Sequence, residues 1–244
     1  MALKFWKKFE KSDFAQSAKL KIRQAYGREP KFNLDKHCDI TVFGDWGLPL
    51  DFLNKNDIVY SFGVCDDIDF ELSLISLKHV QVYAFDPTPY SVDWIAQQSL
   101  PAQFNFHPFA AAAEDGECYL YPLVNKKGKK STIMYSFSAH QEARNDGVLV
   151  KALSLKSTMN KLGHDKVDVL KMDIEGAEYD FIQSVIQSEI RPGLIMVEFH
   201  HRFTDFDKQN TIDTVELLRQ SGYQLVYISP AGREMCFHYN PSTR

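Results

Sequence analysis

The chain has 244 residues, 44% of them hydrophobic, and a formal net charge of -4. That is enough apolar material for one substantial core, which predicts a single elaborated domain, and the charge gives no global field for nucleic acid. No apolar run is long enough to span a bilayer, and Cys38, Cys65, Cys118 and Cys236 lack the spacing of a zinc site or disulfide scaffold, so a soluble protein of the reducing cytoplasm is expected.

Residues 1–26 set Phe5, Trp6, Phe9 and Phe14 among Lys4, Lys7, Lys8, Lys11 and Lys19. The pattern predicts one or two amphipathic helices ahead of the main domain, packed on it or on a subunit of a homo-oligomer, or else serving at a membrane surface or as a substrate lid. The basic start is followed by no uninterrupted apolar core or small-residue cleavage site, which argues against a secretory signal. Residues 31–56, with Gly44, Gly47 and Pro49, read as a polar approach with short extended pieces. Residues 1–56 are therefore expected as an extension and 57–244 as the functional domain.

Asp57 to Gly63 reads as a strand, followed by the turn Val64 to Ile68 and a helix from about Phe70 to Leu77. Val80 to Phe85 is a second strand, stopped by Asp86-Pro87-Thr88-Pro89, whose prolines start a helix through Val92, Trp94 and Ile95. Strand, helix, strand and helix in this order predict a parallel crossover. Phe104 to Ala110 gives a third strand, and Cys118 to Pro122 with Val148 to Leu153 read as added strands around an irregular basic loop, 126–138, which is either a solvated insertion or a segment that closes over a substrate. Val167 to Met172 is an apolar central strand, Gly176 turns the chain, and a helix runs to about Ser188. Pro192 to His200 is a fifth parallel strand, Ile212, Val215, Leu217 and Leu218 mark a last helix, and 222–228 with 233–239 form a terminal hairpin. The fold class is α/β, a Rossmann-like sheet, mostly parallel with an antiparallel C-terminal strand, behind an N-terminal helical extension.

In such a sheet ligands bind beyond the carboxyl ends of the strands. A dinucleotide needs Gly-x-Gly-x-x-Gly after the first strand and a P-loop needs Gly-x-x-x-x-Gly-Lys, but Gly63 stands alone. Asp66-Asp67 follows, which repels phosphate and suits a ligand with positive charge; Asp67 serves equally well as a cap for the next helix. Asp86, at the end of the second strand, suits the hydroxyls of a ribose. A nucleoside without phosphates, carrying a sulfonium and an amino group, meets all three features, and that ligand is S-adenosylmethionine.

Tyr-Ser-Phe-Gly at 60–63, Tyr-Ala-Phe-Asp-Pro-Thr-Pro at 83–89 and Leu-Lys-Met-Asp-Ile-Glu-Gly-Ala-Glu at 170–178 resemble the FkbM-type S-adenosylmethionine-dependent methyltransferases, over roughly residues 57–240. The resemblance implies a methyltransferase sheet and O-methylation of a hydroxyl on a sugar, glycan or secondary metabolite. It carries Gly63 and Asp86 over as cofactor residues and Asp173, Glu175 and Gly176 as the signature turn. Many members have a second glycine soon after the first, where this chain has Cys65 and Asp66.

Methyl transfer to an alcohol needs its nucleophile aligned and its proton removed. Asp173 and Glu198, at adjacent strand ends, can hold a divalent cation, Mg or Mn, that lowers the hydroxyl pKa. Alternatively a histidine takes the proton, and His200 is favoured because it shares a face with Glu198 on an extended chain. His201 then reads as a surface histidine. Glu175 either contacts the cofactor or orders the turn through backbone hydrogen bonds, and Lys171 should pair with a carboxylate. Tyr135, Phe137, Trp94 and Phe203 would suit sugar stacking. A nicotinamide-dependent oxidoreductase also places an acid after its second strand but needs the missing glycine cradle, and a catalytically silent glycan- or protein-binding domain remains the rival from another class.

Overall fold

The structure is a computed structural model that describes residues 12–124, 128–136, 145–203 and 205–243. Phe5, Trp6, Phe9 and the lysines around them, with Lys126, Lys127 and Phe137, lie outside the described residues.

Helix α1 (Asp13–Ala25) begins at Ser12, whose side chain accepts the Ala15 N–H. Its Leu20 lies against Gly232, while Phe14, Ile22 and Tyr26 are exposed. A short hairpin of β1 (Thr41–Phe43) and β2 (Trp46–Leu48) follows. The main sheet then takes β3 (Ile58–Phe62), α2 (Asp69–Lys78), β4 (Gln81–Phe85), α3 (Pro89–Ile95) and β5 (Phe104–His107). Thr88 caps α3 by accepting the Ser91 N–H, and Pro89 supplies the preset φ of a first helical turn.

A second, four-stranded sheet holds β6 (Ala110–Ala111), β7 (Gly116–Val124), β8 (Lys130–Ser136) and β9 (Val148–Leu153). The stretch read as an irregular loop is thus partly strand. Strand β8 pairs with β7 through Lys130, Tyr135 and Ser136; Thr132, Ile133 and Tyr135 give its sequence β propensity, which the lysines ahead of them hid. The main sheet resumes with α4 (Leu155–Leu162), β10 (Val169–Met172), α5 (Glu178–Gln187), β11 (Leu194–Glu198), α6 (Lys208–Gln220), β12 (Tyr223–Ile228) and β13 (Glu234–Tyr239).

Its seven strands run in the order β12-β13-β11-β10-β3-β4-β5, the last five parallel and β13 antiparallel to both its neighbours. The direction of winding reverses between β3 and β10, which opens a crevice at their carboxyl ends. Alternation divides the buried side chains between two cores. Leu170, Met172, Ile195 and Val197 face Phe181, Val185 and Leu218 of α5 and α6, while Val59, Val169 and Met196 face Leu74 of α2 and Leu48 of β2. Lys171 points to the second face, where Glu71 lies 3.3 Å away and the Trp46 ring 4.6 Å away. The segment before β3 is pinned to the sheet: Asp35 accepts the Leu225 N–H and pairs with Arg219 of α6.

Candidate active site

Register sets the site. Phe85, Phe62, Met172 and Val197 stand level across four neighbouring strands, so the residues after them, Asp86, Gly63, Asp173 and Glu198, leave the sheet along one edge. Beyond that edge lies a cavity of about 320 Å³, walled by Phe62, Phe85, Ala110, Ala111 and Leu120 and carrying Asp66, Asp86, Asp173 and Glu175 among its polar groups. Tyr135 of β8 also lines it.

Asp86 is buried, and its carboxylate already accepts the Cys65 N–H at 3.0 Å, the Thr88 N–H at 2.9 Å and the Thr88 hydroxyl at 2.6 Å. A carboxylate offers about four lone-pair sites, so roughly one remains for a ligand. Gly63 has a different reason to be glycine from the one expected. Its φ is +83°, and a Cβ there would stand 1.8 Å from the Asp173 carbonyl oxygen, so the residue lets the ends of β3 and β10 close. Cys65, in the region where the family resemblance sets a second glycine, has φ +45°, the left-handed backbone that favours glycine. Burial pushes its thiol up to about 12, which leaves it inert as a nucleophile. Of the two roles open to Asp67, cofactor contact and helix cap, the structure shows a contact to α2, where its Oδ1 accepts the Asp69 N–H at 3.0 Å; Asp66 is the member of the pair on the wall of this cavity.

The second part of the site is an imidazole among carboxylates. His200 Nε2 lies 3.3 Å from Glu175 Oε2, 3.5 Å from Asp173 Oδ1 and 3.8 Å from Glu198 Oε1, so alternation does place Glu198 and His200 on one side. Glu178 organises this cluster from within the fold. Fully buried at the start of α5, it accepts the His200 N–H at 2.8 Å and the Gly176 N–H at 2.9 Å, and its Oε1 is 3.3 Å from His200 Nδ1. The turn it grips is tight: Glu175 and Gly176 have φ of +50° and +103°, and the Ser136 hydroxyl donates to the Glu175 carbonyl.

Burial alone would lower the His200 pKa, but the Glu178 hydrogen bond and charge, with the charges of Asp173 and Glu175, raise it to about 9. With only protein groups around it, His200 therefore holds its proton near neutrality, and the expected role of proton acceptor does not fit it. Glu175 suits that role better: burial and the Asp173 and Glu178 charges, opposed by that of His200, push its carboxyl up to about 7. The Arg233 guanidinium contacts Glu198 Oε1, and the ligand atoms that group closely are those of Asp173, Glu175 and His200 and not the expected pair of Asp173 and Glu198. His201 is not a surface residue. It is buried, with Nε2 2.7 Å from Glu29 and Nδ1 3.1 Å from Thr211.

A second cavity of about 520 Å³ adjoins the first and shares Gly63, Cys65 and Asp173 with it; Trp46, Phe70 and Glu198 are among its other walls. Of the aromatic residues considered for sugar stacking, Phe203 lies against His200 with ring centres 4.9 Å apart, and Trp94 packs on the core beside α2.

The sequence profile of the methyltransferase FkbM domain matches residues 57–225, from the start of β3 to β12. The chain belongs to the FkbM methyltransferase family. It is similar to a human protein named probable methyltransferase-like protein 24, 26% identical over 165 residues that cover 66% of this chain. The match spans 37% of that relative's length. Among solved structures it resembles the methyltransferase FkbM of Methylobacillus flagellatus KT, with 14% identity, a TM-score of 0.47 and coverage of 76% of this chain and 44% of that one. It also resembles the Methanococcus jannaschii fibrillarin pre-rRNA processing protein, with 12% identity, a TM-score of 0.47 and coverage of 82% and 70%. Among the described residues no helix is long and apolar enough to cross a membrane.

In this FkbM chain the signature turn thus carries three carboxylates with separate duties: Asp173 and Glu175 face the cavity, and Glu178 braces His200. Sequence reasoning passed over Glu178 and Arg233. For Glu178 a signal exists, because three acidic residues within six, ahead of an apolar helix, cannot all be solvated at a buried strand end.

Proposed function

We propose that this chain transfers a methyl group from S-adenosylmethionine to a hydroxyl oxygen of a sugar, glycan or small metabolite. The observation that carries the reading is the juxtaposition of a cavity holding Asp86 at one end with the Asp173, Glu175 and His200 cluster at the other. The residues fit the cofactor. Asp86 keeps about one acceptor site for a ribose hydroxyl, Phe62 and Phe85 supply an apolar floor, and the carboxylates of Asp66, Asp173 and Glu175 complement positive charge. When bound, S-adenosylmethionine supplies an electrophilic methyl group on a sulfonium. The apolar wall excludes water from that methyl, and the adjoining cavity gives the acceptor an approach past Asp173. The proton of the hydroxyl passes to Glu175; a divalent cation, if Asp173, Glu175 and His200 held one, would supply Lewis acidity that lowers the hydroxyl pKa.

A nicotinamide cofactor fits less well, because Gly63 stands without the further glycines that bare a phosphate cradle and Asp66 would face the pyrophosphate. Calorimetric titration with S-adenosylmethionine, with NAD as the control, is the test, followed by transfer of labelled methyl to a panel of sugars. Heat from NAD and none from S-adenosylmethionine would overturn the cofactor; label recovered on nitrogen instead of oxygen would overturn the acceptor class.

A further inference from the structure

We infer that Asp173, Glu175 and His200 form a divalent-cation site with one imidazole and two carboxylate ligands. Its part in catalysis rests on the methyltransferase reading above; its existence rests on geometry alone. One atom from each residue falls within 4.8 Å of the other two. The separations from His200 Nε2, 3.3 Å to Glu175 and 3.5 Å to Asp173, are a few tenths longer than the about 3.0 Å between neighbouring ligands around an octahedral ion with bonds near 2.1 Å.

Three observations favour an ion at this point. First, the His200 side chain is 5% exposed and its Nδ1 faces Glu178, the arrangement by which a carboxylate orients a metal-bound imidazole and fixes its tautomer. Nε2 then faces the two carboxylates, and an ion bound there would take the place of the Nε2 proton, because without either the three electron-rich atoms repel. Second, among the described residues the buried Glu175 Oε2 has no hydrogen-bond partner, and its near neighbour is His200 Nε2 at 3.3 Å. Third, Glu175 is held in a left-handed conformation that costs a non-glycine residue about 1–2 kcal/mol, and Ser136 and Glu178 hold the backbone of its turn.

Arg233 contacts Glu198 Oε1 while the grouped ligand atoms belong to Asp173, Glu175 and His200, so the proposed set leaves out Glu198, which strand position alone suggests. One nitrogen and two oxygens favour Mn²⁺ over Mg²⁺. The competing account is a proton on Nε2, which would satisfy the same carboxylates.

Electron paramagnetic resonance of free Mn²⁺ separates the two accounts. Chain stripped with a chelator and dialysed should take up one Mn²⁺, with Mg²⁺ competing only at much higher concentration. Asp173→Asn, at a half-buried position, should abolish uptake, and Glu178→Gln should weaken it about 10–100-fold, the range for a group that orients a metal ligand. Glu198→Gln should leave uptake unchanged. Circular dichroism checks each fold, and Asp173→Asn carries the test if Glu178→Gln does not fold. No uptake by folded wild type overturns the site in favour of the proton, and equal losses in Glu198→Gln and Asp173→Asn overturn the ligand set. Calorimetry with S-adenosylmethionine on the same sample keeps the readings apart, since cofactor binding without Mn²⁺ uptake sinks the ion site alone.

Discussion

Replacing Asp86 with alanine removes the acceptor shared by the turn after β3, the turn after β4 and the proposed ribose. The Thr88 N–H is buried, and leaving it unpaired costs about 1–3 kcal/mol; the Cys65 N–H borders the cavity, where water can replace the carboxylate, and its loss costs about 0.5–1.5 kcal/mol. The Thr88 hydroxyl keeps Ser91 as a partner at 2.7 Å. Asp86→Ala should therefore lose about 2–4 kcal/mol of stability, read from urea unfolding at constant slope. A ribose hydroxyl donating to a carboxylate is worth a further 1.5–3 kcal/mol, so the Kd for S-adenosylmethionine should rise roughly 10- to 150-fold by calorimetry at a temperature where the variant is folded. Asp86→Asn, which keeps one acceptor, should recover part of the stability. A variant that loses stability but binds the cofactor with full affinity would remove Asp86 from the site. A variant that loses neither would refute the hydrogen-bond reasoning itself.

Gly63→Ala should cost about 2–5 kcal/mol, from an overpacked contact with the Asp173 carbonyl and a left-handed alanine, and an unchanged urea midpoint would show that β3 and β10 do not close as described. His201→Ala should lower stability by about 1–3 kcal/mol, because Glu29 keeps Arg202 at 2.7 Å but loses its imidazole partner; a melt within half a kcal/mol of wild type would return His201 to the surface. The same pair sets a pH dependence. Burial lowers the His201 pKa more than the Glu29 contact raises it, and the Glu29 pKa, raised by burial, is brought below its ordinary value by Arg202 and His201. Both folded-state values lie below the unfolded ones, so the unfolded chain binds more protons and stability falls on acidification, first below about 6.5 and then below about 4.5. The raised values of Glu175 and His200 act in the opposite sense, so the limb is read as a difference: the melting-temperature gap between wild type and His201→Gln should shrink from pH 7.5 to 4.5, and a constant gap would assign the limb elsewhere.

The parallel sheet was legible because each of its strands is an apolar run with its own stop: Gly63, Asp86-Pro87 and Asp173 end three of them, and the stops fall level once the strands pair. Alternation also sufficed to set Glu198 and His200 on one side. Strand β8 escaped because residue identity was read through its charged neighbours, Lys126 to Lys130, and not through Thr132, Ile133 and Tyr135. The surroundings of His201, Glu198 and Asp67 were not legible for another reason. Each has a partner that decides its role, and apart from Asp69 these partners are remote: Glu29 stands 172 positions from His201 in the chain, and Arg233 reaches Glu198 from the far side of a hairpin. Periodicity gives the direction of a side chain but not the charge that meets it.

The same limit bears on how mutations in this site should be interpreted. Asp86, Glu178 and Gly63 are each tied to backbone groups of the fold while standing at or behind the cavity wall, Asp86 through two amides and a hydroxyl, Glu178 through the amides of Gly176 and His200. Loss of activity on changing any of them has two sources of similar size, a few kcal/mol each. Asp173 and Glu175 differ, because no hydrogen bond from the described residues reaches their carboxylates and only His200 approaches them closely. Substitutions there leave the backbone pairing of the edge intact, so a lost function at Asp173 or Glu175 reports on the chemistry of the cluster, whereas the same loss at Asp86 or Glu178 has to be divided by a stability measurement first.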